Sequence, residues 1–159
     1  MPKHLLPPVA VALAVSGFLV AGMNAAVAGD DALVIAPHDP AIEWGPCPGF
    51  FPDTCRIGVL HGQPAEPRAD IFFKVPANTH LPAHTHTSAE RMVLVSGRMR
   101  VDYQGQEAAV IETGSYAYGP PGRAHSAYCM EAGECILFIA FNEPIDAMPV
   151  EDASASGND

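Results

Sequence analysis

Basic residues are scarce in this chain. Its 159 residues hold eight Lys and Arg against eighteen Asp and Glu, a formal net charge of −10 at pH 7. Phosphate backbones and anionic lipid surfaces are bound by clustered Lys and Arg that displace counterions. Here the few basic residues are scattered, so no nucleic-acid partner is expected and the acidity is read as solubility. Also missing is any Cys-x-x-Cys spacing, which argues against a zinc ribbon or a dithiol redox motif. No sustained helical period of apolar side chains appears beyond the N-terminus, so a helical domain is not expected.

One long apolar run is present. Lys3 and His4 form a short positive start, Val9 to Met23 carries no charge, and Ala26-Val27-Ala28 is a small-x-small pattern before Gly29 and two aspartates. Residues 1–28 read as a signal peptide. The alternative, a retained membrane anchor, needs roughly 20 apolar residues, and this run is shorter and follows Pro7-Pro8. With no cysteine near the cleavage point and no Arg-Arg pair before the run, neither a lipoprotein nor export of the folded chain is expected. The chain is therefore expected to be periplasmic or secreted, with no stable membrane insertion after cleavage. Removing Lys3 takes one positive charge from −10 and leaves −11.

All four cysteines lie after the signal, in two close pairs, Cys47 with Cys55 and Cys129 with Cys135. An oxidising compartment lets such pairs form disulfides, one stapling a loop over residues 48–54 and one bridging a hairpin around Ala132-Gly133. Each short loop is expected to add about 2–3 kcal/mol on the chain-entropy account.

Between residues 29 and 55 the chain is polar and punctuated by proline and glycine, and reads as an irregular arm ending in the disulfide loop. Its Trp44, Phe50 and Phe51 are expected to cover an end or outer face of the domain. From Arg56 to Pro149 the pattern becomes short runs rich in Val, Ile, Phe and Tyr: Ile57–His61, Ile71–Val75, Arg91–Ser96, Met99–Tyr103, Ala108–Ile111, Tyr116–Tyr118, Ala124–Met130 and Ile136–Phe141. Even punctuation by Gly and Pro predicts an all-β sandwich or barrel. Residues 150–159 are small and acidic and read as a disordered tail.

The chemistry-bearing stretch runs from Pro82 to Gly97. Residues two apart on a strand share a face, so His84 and His86 project together. Glu90 follows a small polar turn and can enter the next strand facing the same interior. His125 follows Gly119-Pro120-Pro121-Gly122. Three imidazoles and one carboxylate converging in a barrel suit a borderline divalent ion.

These residues resemble the two motifs of the cupin superfamily. The first, G-x5-H-x-H-x3-E-x6-G, is matched by His84, His86, Glu90 and Gly97; the second, G-x5-P-x-G-x2-H-x3-N, by Gly114, Pro120, Gly122 and His125. Asn78 replaces the first glycine, and asparagine tolerates the positive φ of a turn. Cys129 replaces the final asparagine, which is not a ligand in the family. The resemblance implies a double-stranded β-helix, or jelly-roll barrel, holding one divalent transition metal ion (Fe, Mn, Ni, Cu, Co or Zn) on His84, His86, Glu90 and His125, with open positions for water or substrate. A homodimer is common among such proteins, and edge strands invite it.

Glu90 and His80 are the candidate catalytic residues. His80 reads as a loop residue near the barrel mouth, either a substrate-facing group or a surface histidine. Tyr116, Tyr118, Met92, Leu94, Phe72 and Phe138 are candidates to line a pocket or fill the core. His38 and His61 read as solvated, and Arg91 as facing outward.

Three function classes compete: a metal-dependent oxygenase or oxidoreductase acting on a small chelating molecule, a redox-neutral isomerase or lyase, and a non-catalytic binder. Sequences around Trp44-Gly45-Pro46 and Val59-Leu60-His61-Gly62 also resemble the ChrR-like cupins of zinc-binding anti-sigma factors. Those regulators carry an added sigma-binding domain and work in the cytoplasm, so a regulatory role is not expected here.

Overall fold

A computed structural model describes residues 32–130 and 133–150. The signal-peptide reading and most of the acidic-tail reading lie outside the described residues. Among the described residues eleven strands are formed: β1 (Trp44–Pro46), β2 (Arg56–His61), β3 (Asp70–Val75), β4 (Thr79–Thr85), β5 (Glu90–Ser96), β6 (Arg98–Tyr103), β7 (Ala109–Glu112), β8 (Tyr116–Gly119), β9 (His125–Cys129), β10 (Cys135–Phe141) and β11 (Met148–Pro149). They make a six-stranded sheet in the order β1-β2-β3-β10-β5-β8 and a five-stranded sheet in the order β11-β4-β9-β6-β7. The pairings are antiparallel. The fold is an all-β jelly roll.

Period-two alternation builds the core. On β3, Ile71, Phe73 and Val75 point inward, while Phe72 turns to the other face against Phe138, with ring centroids 6.5 Å apart. Leu94 and Met99 join Leu137 and Ile139 inside. Burial of each such aliphatic side chain stabilises the fold by about 1.5–3 kcal/mol. Both predicted disulfides are formed, Cys47 with Cys55 and Cys129 with Cys135. At Gly97, φ is +85° and an added Cβ would lie 2.7 Å from the Glu134 carbonyl oxygen, so the tight turn between β5 and β6 requires glycine. Asn78 does adopt positive φ, at 59°.

Three strand assignments differ from expectation. The arm is not irregular throughout, because Trp44–Pro46 pairs with β2 as an edge strand, where Pro46 loses no essential ladder bond. β4 was hidden by Pro82 and by its polar residues; a register shift between Leu81 and His84 lets the proline sit in the strand. β11 is only two residues long and shows no alternation to read.

Candidate metal centre

Cross-strand register assembles the site from both sheets. In the five-stranded sheet Pro149 pairs with His84, His84 with His125, and His125 with Tyr103. In the six-stranded sheet Phe141 pairs with Glu90, and Glu90 with Gly119. Glu90 faces the histidines across the interior: its Oε1 lies 3.3 Å from His86 Nε2 and its Oε2 lies 3.6 Å from His125 Nε2.

Each imidazole is held by a backbone carbonyl. Nδ1 of His84 donates to the Pro82 oxygen at 2.7 Å, Nδ1 of His86 to the Asp146 oxygen at 2.5 Å, and Nδ1 of His125 to the Arg123 oxygen at 3.2 Å. A carbonyl can only accept, so the proton of each neutral ring sits on Nδ1 and the Nε2 lone pair is free. One ligand atom from each of His84, His86 and His125 lies within 4.8 Å of the others. Donors held about 2.0–2.2 Å from one shared ion stand at most about 4.4 Å apart, so 4.8 Å is a limit slightly wider than ligation needs. His86 Nε2 is fully buried without a hydrogen-bond partner, as an atom kept for a ligand would be.

Burial sets the charge states. Desolvation, with the charge of His125 second, pushes His84 down to about 3. The same desolvation takes His125 to about 4 and lowers His86. It raises Glu90 to about 8. Near neutral pH the unliganded group is three free-base imidazoles facing a protonated carboxyl. The donor set fits a divalent transition ion, whose charge would displace the Glu90 proton.

The four residues open on a cavity of about 110 Å³. Phe51, at the tip of the Cys47–Cys55 loop, closes one side with its ring 4.8 Å from His84. Of the three arm aromatics expected to cover an end or outer face of the domain, Phe51 takes this place. On the other side the segment Ile145–Ala147 lines the cavity, and Asp146 is tied to the site twice, through the His86 bond and through a bond from the Thr87 amide to its carboxylate at 2.8 Å.

The structure brings His84, His86, Glu90 and His125 together and leaves His80 out. His80 stands on β4 rather than in a loop, exposed, and stacks on Tyr128 with ring centroids 4.2 Å apart. Its neighbour Leu81 takes the inward position, so alternation turns His80 away from the cavity. Of the candidate pocket residues only Met92 lines the cavity; Leu94 is core, Phe72 and Phe138 pack on the opposite face, and Tyr116 and Tyr118 are exposed. Arg91, His38 and His61 are exposed as expected. Two polar lining residues went unrecognised in the sequence. Tyr103 follows Met99 and Val101 in the inward series of β6 and was legible from period two. Asp146 lies outside any strand and offers no pattern.

No curated protein matches the chain significantly. Solved structures share its fold at low identity. The DMSP lyase DddQ from Ruegeria pomeroyi superposes with a TM-score of 0.58 at 16% identity, covering 74% of this chain and 64% of its own, so the chain spans less than two-thirds of that enzyme. A cupin 2 conserved barrel protein from Rhodopseudomonas palustris gives 0.61 at 15% identity, covering 74% and 85%. The polyketide cyclase RemF from Streptomyces resistomycificus gives 0.60 at 17% identity, covering 76% and 88%. The family model of the ChrR cupin-like domain matches residues 33–144, and the chain belongs to that family of cupins.

Proposed function

We propose that the chain is an exported metalloenzyme that holds one divalent transition ion on His84, His86, Glu90 and His125 and acts on a small organic molecule as an oxygenase-type oxidoreductase. The observation that carries the metal reading is the set of three clustered Nε2 lone pairs, each freed by an Nδ1–carbonyl bond, with those of His86 and His125 facing the Glu90 carboxyl. When bound, the ion supplies Lewis acidity and open positions for ligands. The protein's own residues orient the imidazoles, and a largely apolar wall surrounds them. Glu90 serves as ligand and as the group whose proton leaves when the ion enters. Two disulfides support an oxidising compartment, and among the described residues no helix is long and apolar enough to cross a membrane.

A redox-neutral lyase or cyclase reaction is the second reading, favoured by the named activities of the fold neighbours, DMSP lyase and polyketide cyclase. Metal analysis of protein taken from its native compartment, followed by oxygen uptake with iron-loaded and zinc-loaded samples, separates them. The oxygenase reading expects uptake with iron and none with zinc. Turnover by the zinc form without dioxygen would replace it with the redox-neutral reading, and protein that retains no metal would end both.

A further inference from the structure

We propose that the cavity takes a small molecule whose polar atoms are gathered at one end, where they meet the ion and the Tyr103 hydroxyl, and whose remainder is uncharged and apolar. The inference rests on the metal reading above and narrows it to a ligand class. Its first support is the makeup of the wall. Among the described residues, the polar side chains lining the cavity beyond the four candidate ligands belong to Tyr103 and Asp146, and no Lys or Arg lines it. The Asp146 carbonyl is taken by His86 and its carboxylate accepts from the Thr87 amide. An anionic group at the far end of a ligand would therefore be buried without a counter-charge, and a cationic one would find only the Asp146 carboxylate, already engaged by the Thr87 amide.

Tyr103 provides the second support. Its hydroxyl is fully buried and has no hydrogen-bond partner. A buried polar atom left unpaired is unfavourable, a penalty that a ligand accepting from it would relieve. The ring lies 5.2 Å from that of His125. A Cβ added to Gly119 would stand 2.9 Å from Glu90 Oε2 and 3.4 Å from the Tyr103 hydroxyl, so hydroxyl and carboxyl border the same gap.

Size completes the description. At about 110 Å³ the cavity is somewhat smaller than the ~150 Å³ apolar cavity known to admit a benzene ring, so the ligand has about half a dozen heavy atoms.

Butanoate, succinate and γ-aminobutanoate test this, because they share a carboxylate head on a short chain and end in a methyl, a carboxylate and an ammonium group. Each is titrated into the zinc-loaded full chain by proton–nitrogen NMR, with zinc content measured on the same samples. Butanoate is expected to shift cavity signals, and the other two to bind at least about tenfold more weakly. Tyr103→Phe is expected to keep its zinc and to lose roughly five- to tenfold in butanoate affinity. Equal affinity for the three probes, no butanoate shift on the zinc form, unchanged affinity in Tyr103→Phe, or loss of zinc from that variant overturns the proposal while the metal reading stands. Wild-type protein that takes up no zinc overturns the metal reading and this inference with it.

Discussion

Along β5 the inward residues run Glu90, Met92, Leu94, and along β9 they run His125, Ala127, Cys129. Both strands begin polar at one end of the barrel interior and finish apolar at the other. Exposure does not separate the ends, for Glu90 is 4% exposed and Leu94 0%. Their chemistry does. Desolvation of Leu94 stabilises the fold, whereas the same desolvation drives Glu90 and the imidazoles toward their uncharged forms. One end is built for stability and the other holds polar groups whose burial opposes it.

Substitutions at the two ends should therefore fail in different ways. His86→Ala is expected to abolish stoichiometric zinc retention, lowering affinity by more than the about 10–100-fold that loss of a mere supporting group costs, while the barrel stays folded. Equilibrium dialysis against zinc with circular dichroism on the same sample checks both halves; global unfolding of this variant would make the polar end structural after all. Leu94→Ala should do the reverse, costing about 2–5 kcal/mol in denaturant unfolding with zinc stoichiometry unchanged.

The two disulfides sharpen the comparison because they close loops of similar length, with sequence separations of 8 and 6. Replacing either pair by serine is expected to cost about 2–3 kcal/mol. Only the Cys47–Cys55 loop holds a ring against a site histidine, Phe51 on His84. Loss of that bridge should speed zinc transfer to a chelator, and loss of Cys129–Cys135 should not. Equal chelation rates in the two variants would mean that the Phe51 loop plays no part in closing the site.

Most of this arrangement was legible in the sequence, for identifiable reasons. His84 and His86 sit two apart, and Glu90 and His125 each open a strand after a turn, so motif spacing carried the convergence of these four side chains. The cysteine pairs were close enough to read as local bridges. Period two failed where a strand contains proline, as at Pro82 in β4, and that failure also misplaced His80. It could not reach Asp146, whose carbonyl meets His86 across 60 residues of sequence. Long-range backbone partners leave no local pattern, because a carbonyl oxygen is offered by every residue type.

The smallest effect is set by protons. Unperturbed imidazoles would place the loss of metal near pH 6–7, but burial takes His84 to about 3 and His125 to about 4, so these rings no longer compete for protons in that range. Glu90, raised to about 8, does compete. Below that pH each ion bound should release one proton, and zinc affinity should fall about tenfold, or about 1.4 kcal/mol, per unit of acidification. The same group shapes the metal-free fold. Between its ordinary 4.5 and about 8, folded Glu90 keeps a proton that the unfolded chain has lost, so its contribution weakens as pH rises toward 8. The imidazoles act oppositely, since their folded values lie below 6.5 and stability grows as pH climbs to that value. The metal-free thermal midpoint should thus peak near pH 6.5 and decline toward 8. Saturating zinc should remove the decline, because bound Glu90 is already ionised. Scanning calorimetry across this range with and without zinc measures both curves, and a metal-free midpoint that holds level above the peak would mean that Glu90 is ionised in the empty barrel.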